Sequence, residues 1–377
     1  MKRVAMLMHG GLAPPGSARG VPALAGLVQR LALQFDITVY MLQATEQPTA
    51  PFAHGRAAVR SVPARHGAHM SLKVLHLTRA LLADHRKNPF TLVHGFWALP
   101  GGLSAVLAGR LAHIPAVVSL LGGEAAYLPG IFYGNMRKTA PRAATLWACR
   151  ASDALIALTR YQVEQLSRFG FSRQDGVQVI PFGAEAPFFG LGEQKPPAPP
   201  FHILHVGDLN RVKDQRTLLN AFRLIRGQKD CRLRIVGEDT LGGEMQRYAG
   251  ELGISDAVTF AGFVPHDSLG PHFAWAHLLL HASLYEGQGV VFAEAAAAGL
   301  PICGTRVGLL ADLGEHFAAT AEPGDHEGLS RAALRLLGDA SLRKSLAAGA
   351  RTWSGENDAD RTAELVARVY GSLLNRV

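Results

Sequence analysis

Residues 278–301 read LLLHASLYEGQGVVFAEAAAAGLP. The opening LLLH is a short apolar run that predicts a buried strand. Glu286-Gly287-Gln288-Gly289 is a glycine-rich turn. An alanine-rich helix starts near Val290, and Gly299 and Pro301 stop it. Strand, glycine turn and helix in that order form the repeating piece of an α/β fold. Gly287 and Gly289 let backbone approach a ligand closely, and the helix N-terminus presents free N–H groups. That combination favours a phosphate or a sugar oxygen. Glu286 and Glu294 are eight positions apart, so on one continuous helix they would stand ~80° apart. With Glu286 in the loop and Glu294 one turn inside the helix, both face one ligand at different depths. Carboxylates accept from the paired hydroxyls of a sugar or ribose. The residues alone also fit, and slightly favour, a loop acid and a surface acid, and the alanine run (295–298) also fits close helix–sheet packing.

The same alternation extends in both directions. Strands are predicted at 4–8, 37–42, 92–94, 116–120, 154–157 and 177–180, and again at 203–206, 233–236, 258–261, 278–281 and 302–304. Strands alternating with helical patterns predict βαβ units and parallel sheets. Residues 186–200, APFFGLGEQKPPAPP, hold five prolines and exclude a helix or a central strand. The expected organisation is a first domain over 1–185, a proline-rich linker over 186–200 and a second domain over 201–359. A closing helix over 360–377 (Ala363, Leu365, Val366, Val369, Tyr370 and Leu373 at helical spacing) either packs back on the first domain or ends the second. The fold class is α/β, with two Rossmann-like doubly wound domains facing across a cleft. Ligands of such sheets bind outside the C-terminal strand ends.

The length, 377 residues, suits two domains. A composition 48% hydrophobic and 18% charged excludes a disordered or fibrous chain. Three cysteines, Cys149, Cys231 and Cys303, lack CxxC spacing, which argues against a disulfide framework or a zinc site and fits a reducing cytosol. The N-terminus reads as a first strand rather than a signal peptide, and no apolar run approaches the ~18 residues of a membrane span. The expected location is the cytoplasm, with peripheral association on the inner face of the cell membrane.

Net charge is +8, but residues 1–180 carry 19 basic and 7 acidic side chains, while 201–377 carry 18 and 21. Over 51–113 eight basic residues (Arg56, Arg60, Arg65, Lys73, Arg79, Arg86, Lys87 and Arg110) meet one acid, Asp84. Such a half attracts an anionic membrane surface or a phosphorylated substrate, or is a solvated Arg-rich face. Nucleic acid is not expected, because no matching motif accompanies the charge.

A second segment, ILHVGDLNRVKDQ (203–215), ends a strand at Gly207. Its loop carries Arg211 and Lys213 before a helix capped by Asp214. Two cations beside a helix N-terminus suit a diphosphate, or are surface charge. His9-Gly10-Gly11, Gly122-Gly123-Glu124 and His94-Gly95 are glycine turns at predicted strand ends in the first half. No GxGxxG, Walker A, HExxH, DxD-like or GxSxG pattern is present.

The arrangement resembles the family 4 retaining glycosyltransferases of GT-B architecture. Their Glu-x7-Glu motif matches Glu286 and Glu294, with EAAAAGLP following. Their glycine–lysine segment matches Val206-Gly207-Asp208-Leu209 and Lys213. LRIVGED (233–239), VTFAGFVPHDSL (258–269), HGFWALPGG and VIPFGAE are similar to further family segments, so the likeness covers about residues 4–337. It implies a second domain that binds a nucleotide-diphosphate sugar as co-substrate, with no metal or other cofactor. By the resemblance, Glu294 holds the ribose and Glu286 the donor sugar. Gly207, Gly287, Gln288, Gly289 and Val290 lie near the sugar and diphosphate. Lys213 and Arg211 neutralise the leaving diphosphate, and Phe263 and Val264 face the base. Gly10, Gly11, His94, Gly122 and Gly123 lie on the side of a glycan or lipid-linked acceptor. The implied reaction is hexosyl transfer with retention, in cell-envelope polysaccharide, exopolysaccharide or glycolipid assembly. Asp208 stands where the family often has Arg, Leu121-Gly122-Gly123-Glu124 where it often has a His-Gly turn, and Gln288 where Phe is common. The competing readings are a nucleotide-sugar epimerase and a non-catalytic membrane-surface protein on a degenerate GT-B scaffold.

Overall fold

The computed structural model describes residues 1–14, 19–43, 51–64, 67–173, 176–191 and 196–375. Arg65, residues 192–195 of the proline-rich stretch and 376–377 of the closing helix lie outside them. The chain forms two compact units, Met1–Pro181 with Ala359–Val377, and Phe182–Asp358.

The first unit holds β1 (Arg3–Met8), β2 (Asp36–Gln43), β3 (Phe52–His54), β4 (Ala57–Pro63), β5 (Leu92–Phe96), β6 (Ala116–Ser119), β7 (Ala154–Ala157) and β8 (Val177–Val179). They form one sheet in the order β3-β4-β2-β1-β5-β6-β7-β8. Only β3–β4 is antiparallel among these pairs. Val4, Ala5, Met6, Leu7 and Met8 are all 0% exposed, because β1 is central and covered on both faces. The β3–β4 hairpin was not legible from the sequence. Arg60 and Ser61 interrupt its apolar pattern, and exposed side chains alternate with buried Ala57 and Val59.

The second unit holds β9 (Phe201–Val206), β10 (Cys231–Val236), β11 (Val258–Gly262), β12 (Leu278–His281), β13 (Ile302–Thr305) and β14 (Ala319–Ala321). The order is β11-β10-β9-β12-β13-β14, with every pairing parallel. The chain builds outward from β9 to β11, then returns to lay β12 beside β9. Adjacent residues point to opposite faces of a strand. Ile203, Leu278 and Leu280 therefore enter one core with Leu218, Leu219, Phe222 and Ile225 of the helix Gln215–Arg226. Leu204, Leu279 and Ile302 enter the other with Phe292, Ala295 and Ala296 of the helix Val290–Ala297. Each large apolar side chain so buried contributes roughly 1.5–3 kcal/mol.

The units divide at Pro181/Phe182 and Asp358/Ala359, so the proline-rich stretch 186–200 lies inside the second unit. Phe188 anchors it there. That ring is 3% exposed and packs edge-on against Phe273 at 5.3 Å. The closing helix, Ala359–Leu374, belongs to the first unit. Its Thr362 hydroxyl donates to the Pro181 carbonyl at 2.8 Å, and Tyr370 packs edge-on against Phe35. Among the described residues no helix is long and apolar enough to cross a membrane.

Candidate active site

The strand order of the second sheet reverses between β9 and β12, and a crevice opens at the C-terminal ends of strands at such a point. Two loops leave there. In the loop after β9, Asn210 Oδ1 accepts from the Val212 and Lys213 amides at 3.2 and 3.1 Å. The Leu284 amide donates to the Val212 carbonyl at 2.8 Å, which ties this loop to the one after β12. The two ties set Lys213 so that its Nζ reaches Glu286 Oε1 at 2.6 Å. Glycine is required where the loop after β10 crowds the loop after β9. Gly237 has φ +155°, and a Cβ there would stand 2.2 Å from the Gly207 carbonyl oxygen.

Glu286 is held by more than Lys213. The Ser283 hydroxyl donates to the same Oε1 at 2.6 Å, and His281 Nε2 lies 3.1 Å from it. Burial alone would raise this carboxyl, but the Lys213 charge and the His281 N–H hold it well below the usual carboxylate range. His281 is itself fully buried and lowered by that burial. His205, on β9, stacks on it at 4.8 Å and is also lowered, by burial and then by its neighbour. The arrangement is an ionised acid and a cation, both at the mouth of an apolar core.

Gln288 is buried, and its amide makes two bonds of 2.7 Å to the Phe182 backbone, one to N–H and one to C=O. Its side chain is therefore committed within the unit, and only its backbone remains beside Gly287, Gly289 and Val290 for ligand contact. Gly289 has φ +78° and opens the helix as its cap. Glu294, 5% exposed, lies one turn inside and bonds His266 Nε2 through Oε1 at 2.7 Å. Burial opposes charge on His266, but the Glu294 bond raises its pKa overall. Phe263 is 43% exposed after β11, and Val264 packs on the core that holds Glu294's helix. Asp208 accepts from the Glu238 amide at 2.9 Å, which links the loops after β9 and β10. Arg211 is exposed and has no hydrogen-bond or ion-pair partner among the described residues.

In the first unit the order reverses between β1 and β5, and the same logic applies. His9 packs on Trp97 at 4.3 Å. Gly11, with φ +104°, lies against Trp97, and a Cβ on Gly122 would stand 3.7 Å from Trp97 Nε1. Open space surrounds the Cβ direction of Gly10. The buried Glu124 accepts from the Leu121, Gly122 and Ala98 amides at 3.0, 2.6 and 3.4 Å. Gly123 lies against the Tyr133 ring. His94 does not join this group. It is 0% exposed, with Nδ1 on the Tyr370 hydroxyl at 2.6 Å and Nε2 on Ser119 Oγ at 2.7 Å. Burial lowers it to about 3. Its two bonds tie β5 to β6 and to the closing helix.

Residues 200–339 match the family described as Glycosyl transferases group 1, and residues 16–183 match that described as Glycosyl transferase 4-like domain. Together the two matches cover most of the chain. It belongs to the family 4-type glycosyltransferases. An N-acetyl-alpha-D-glucosaminyl L-malate synthase of Bacillus anthracis is 30% identical over 40% of this chain and 39% of its own length. This chain thus matches well under two thirds of that relative. A sucrose-phosphate synthase from Thermosynechococcus elongatus shares the fold at TM-score 0.84 and 18% identity, covering 100% of both chains. Anabaena HepE, in complex with UDP and glucose, shares it at TM-score 0.76 and 18% identity, over 99% of this chain and 100% of its own. The fold is the GT-B type of two α/β parallel-sheet domains.

Within this glycosyltransferase, sequence reasoning placed Lys213 and Glu286 separately, 73 positions apart, and the strand order brings them together. It missed Ser283, His281, His205, His266, Trp97 and Glu124. A histidine inside an apolar strand run reads as core. The only legible signal was that two such histidines, 205 and 281, sit in the two strands that precede the two candidate loops.

Proposed function

We propose that this glycosyltransferase moves a sugar from a nucleotide-diphosphate sugar to a hydroxyl acceptor, with retention at the anomeric carbon and without a metal ion. The observation that carries this reading is the Lys213–Glu286 pair at 2.6 Å, at the C-terminal ends of β9 and β12, with Glu294 one turn inside the adjoining helix. The glycosidic bond to the diphosphate breaks with its electron pair on phosphate oxygen. Lys213 and the exposed Arg211 supply positive charge to that leaving group, which costs no reorganisation when they are already placed. Glu286 accepts from donor-sugar hydroxyls and Glu294 from the ribose. Backbone N–H groups of 287–290 contact the sugar and diphosphate, while Gly207 gives the diphosphate room. Phe263 and Val264 flank the base.

The first unit takes the acceptor near Gly10, Gly11, Gly122 and Gly123. We assign that acceptor to the glycans and lipid-linked saccharides of cell-envelope polysaccharide, exopolysaccharide or glycolipid assembly. A peripheral position on an anionic inner-membrane surface accords with the first unit's charge. The helix Met70–His85 also exposes Leu72 (47%) and Leu75 (38%) on the face that carries Arg79. Leucines and a cation on one exposed helix face suit the headgroup boundary.

The test is turnover of UDP-, GDP-, ADP- and TDP-sugars with glycan and glycolipid acceptors, the product read by NMR. Transfer with the donor's anomeric configuration is the expected result. An inverted product contradicts retention. An epimerised sugar nucleotide formed without acceptor, or no turnover with any donor, contradicts the transferase reading.

A further inference from the structure

We propose that Ser283 and His281, backed by His205, are positioning residues that hold Glu286 with one carboxylate oxygen saturated and the other presented to the donor sugar. The inference rests on the donor-site reading above.

Three donors converge on Oε1 alone: Lys213 Nζ at 2.6 Å, Ser283 Oγ at 2.6 Å and His281 Nε2 at 3.1 Å. Oε2 has no partner among the described residues, and the Glu286 side chain keeps 12% of its surface exposed. This carboxylate is satisfied on its inner side and open on its outer side.

The hydrogen-bond pattern also sets the protons. Ser283 has one hydroxyl proton, and it goes to Glu286 Oε1. Ser283 Oγ then accepts at 2.8 Å from His281 Nε2, which must carry a hydrogen shared with Glu286. His281 Nδ1 is buried without a partner among the described residues, which suits the bare nitrogen of a neutral Nε2–H ring better than a second N–H donor. His205 takes the opposite tautomer. Its Nδ1 lies 3.1 Å from the Leu280 carbonyl oxygen and must donate, which leaves Nε2 to accept from the Gln215 amide at 3.4 Å. The His205 ring stacks on one side of His281, and Phe292 meets it edge-on at 5.1 Å. Thr305 fixes Ser283 by donating to its carbonyl at 2.6 Å. The charged and titratable groups facing Glu286 are thus Lys213 from the loop after β9 and His281 from β12, with His205 of β9 one ring further back.

The test compares Ser283→Ala, Ser283→Thr, His281→Phe and the unaltered chain. The readouts are UDP binding, UDP-glucose turnover at pH 7 (or turnover of whichever donor proves active) and the ring 15N signals of His281. Removing a donor frees the Glu286 carboxylate to turn away from the donor sugar. In the Ala and Phe variants kcat/KM therefore falls about 10- to 100-fold while UDP affinity changes less than threefold, and Thr restores kcat/KM. His281 in the unaltered chain shows the neutral Nε2–H pattern at pH 7. Unchanged kcat/KM in the Ala and Phe variants overturns the inference, as does an Nδ1–H or cationic His281 at pH 7. The NMR readout decides the matter even where a variant fails to fold. Absence of UDP binding and turnover in the unaltered chain instead overturns the donor-site reading, which keeps the two failures apart.

Discussion

Glu286 and Lys213 lie 73 positions apart in the chain and 2.6 Å apart in the fold, each partly exposed at the mouth of a buried histidine pair. Replacing Glu286 by Gln keeps the shape and removes the charge. The expected result is a 100-fold or greater fall in kcat/KM with nucleotide binding retained, measured by steady-state kinetics beside calorimetry. Burial lowers His94 to about 3 from its ordinary 6.5. The unfolded chain then binds the extra proton, so stability is complete above about pH 6.5 and falls as pH drops toward 3. The slope from His94 is about 1.4 kcal/mol per pH unit. His205 and His281, lowered in the same direction, add to it. Denaturant unfolding at pH 7 and 5 should show the loss, and His94→Gln should reduce the slope. A slope unchanged in that variant would show that His94 does not titrate on unfolding.

The loop after β12 is shaped by a glycine outside it. Gly308 has φ +54°, and a Cβ there would come 2.4 Å from the Gln288 carbonyl oxygen and 2.9 Å from Glu286 Cβ. Gly308→Ala therefore displaces both Glu286 and the segment that Gln288 anchors. The expected outcome is a drop of more than tenfold in kcat with far-UV circular dichroism unchanged, because both cores lie below the loop. Full activity in that variant would mean the loop tolerates the shift. The helix Val290–Ala297 and its glycine cap were readable because Gly289, Gly299 and Pro301 punctuate it. β14 was not, because Ala319-Thr320-Ala321 has no apolar run. Ser283 and His281 were not readable as partners of Glu286, because their meeting depends on the fold of the loop after β12.

Across the whole molecule, the alternation of strands and helices was legible in the sequence, and with it the two α/β units. Prolines mark where regular structure stops rather than where packing stops, and Phe188 packs on Phe273 within the second unit. Charge asymmetry is also a whole-molecule property. The chain should sediment with vesicles containing anionic lipid at low salt and be released by about 0.5 M salt, where the Debye length falls to a few ångström. Leu72→Glu with Leu75→Glu should reduce that binding severalfold without changing turnover of a soluble acceptor. Vesicle binding that ignores both salt and these residues would place the contact elsewhere.

Whether the second unit holds a nucleotide is decided by calorimetric titration of UDP, GDP, ADP, TDP and CMP into the unaltered chain and into Glu294→Ala. A donor site predicts that one nucleoside diphosphate binds and that the substitution weakens it at least tenfold, as loss of ribose hydrogen bonds to a carboxylate requires. Binding of no nucleotide, or binding indifferent to Glu294, would contradict it.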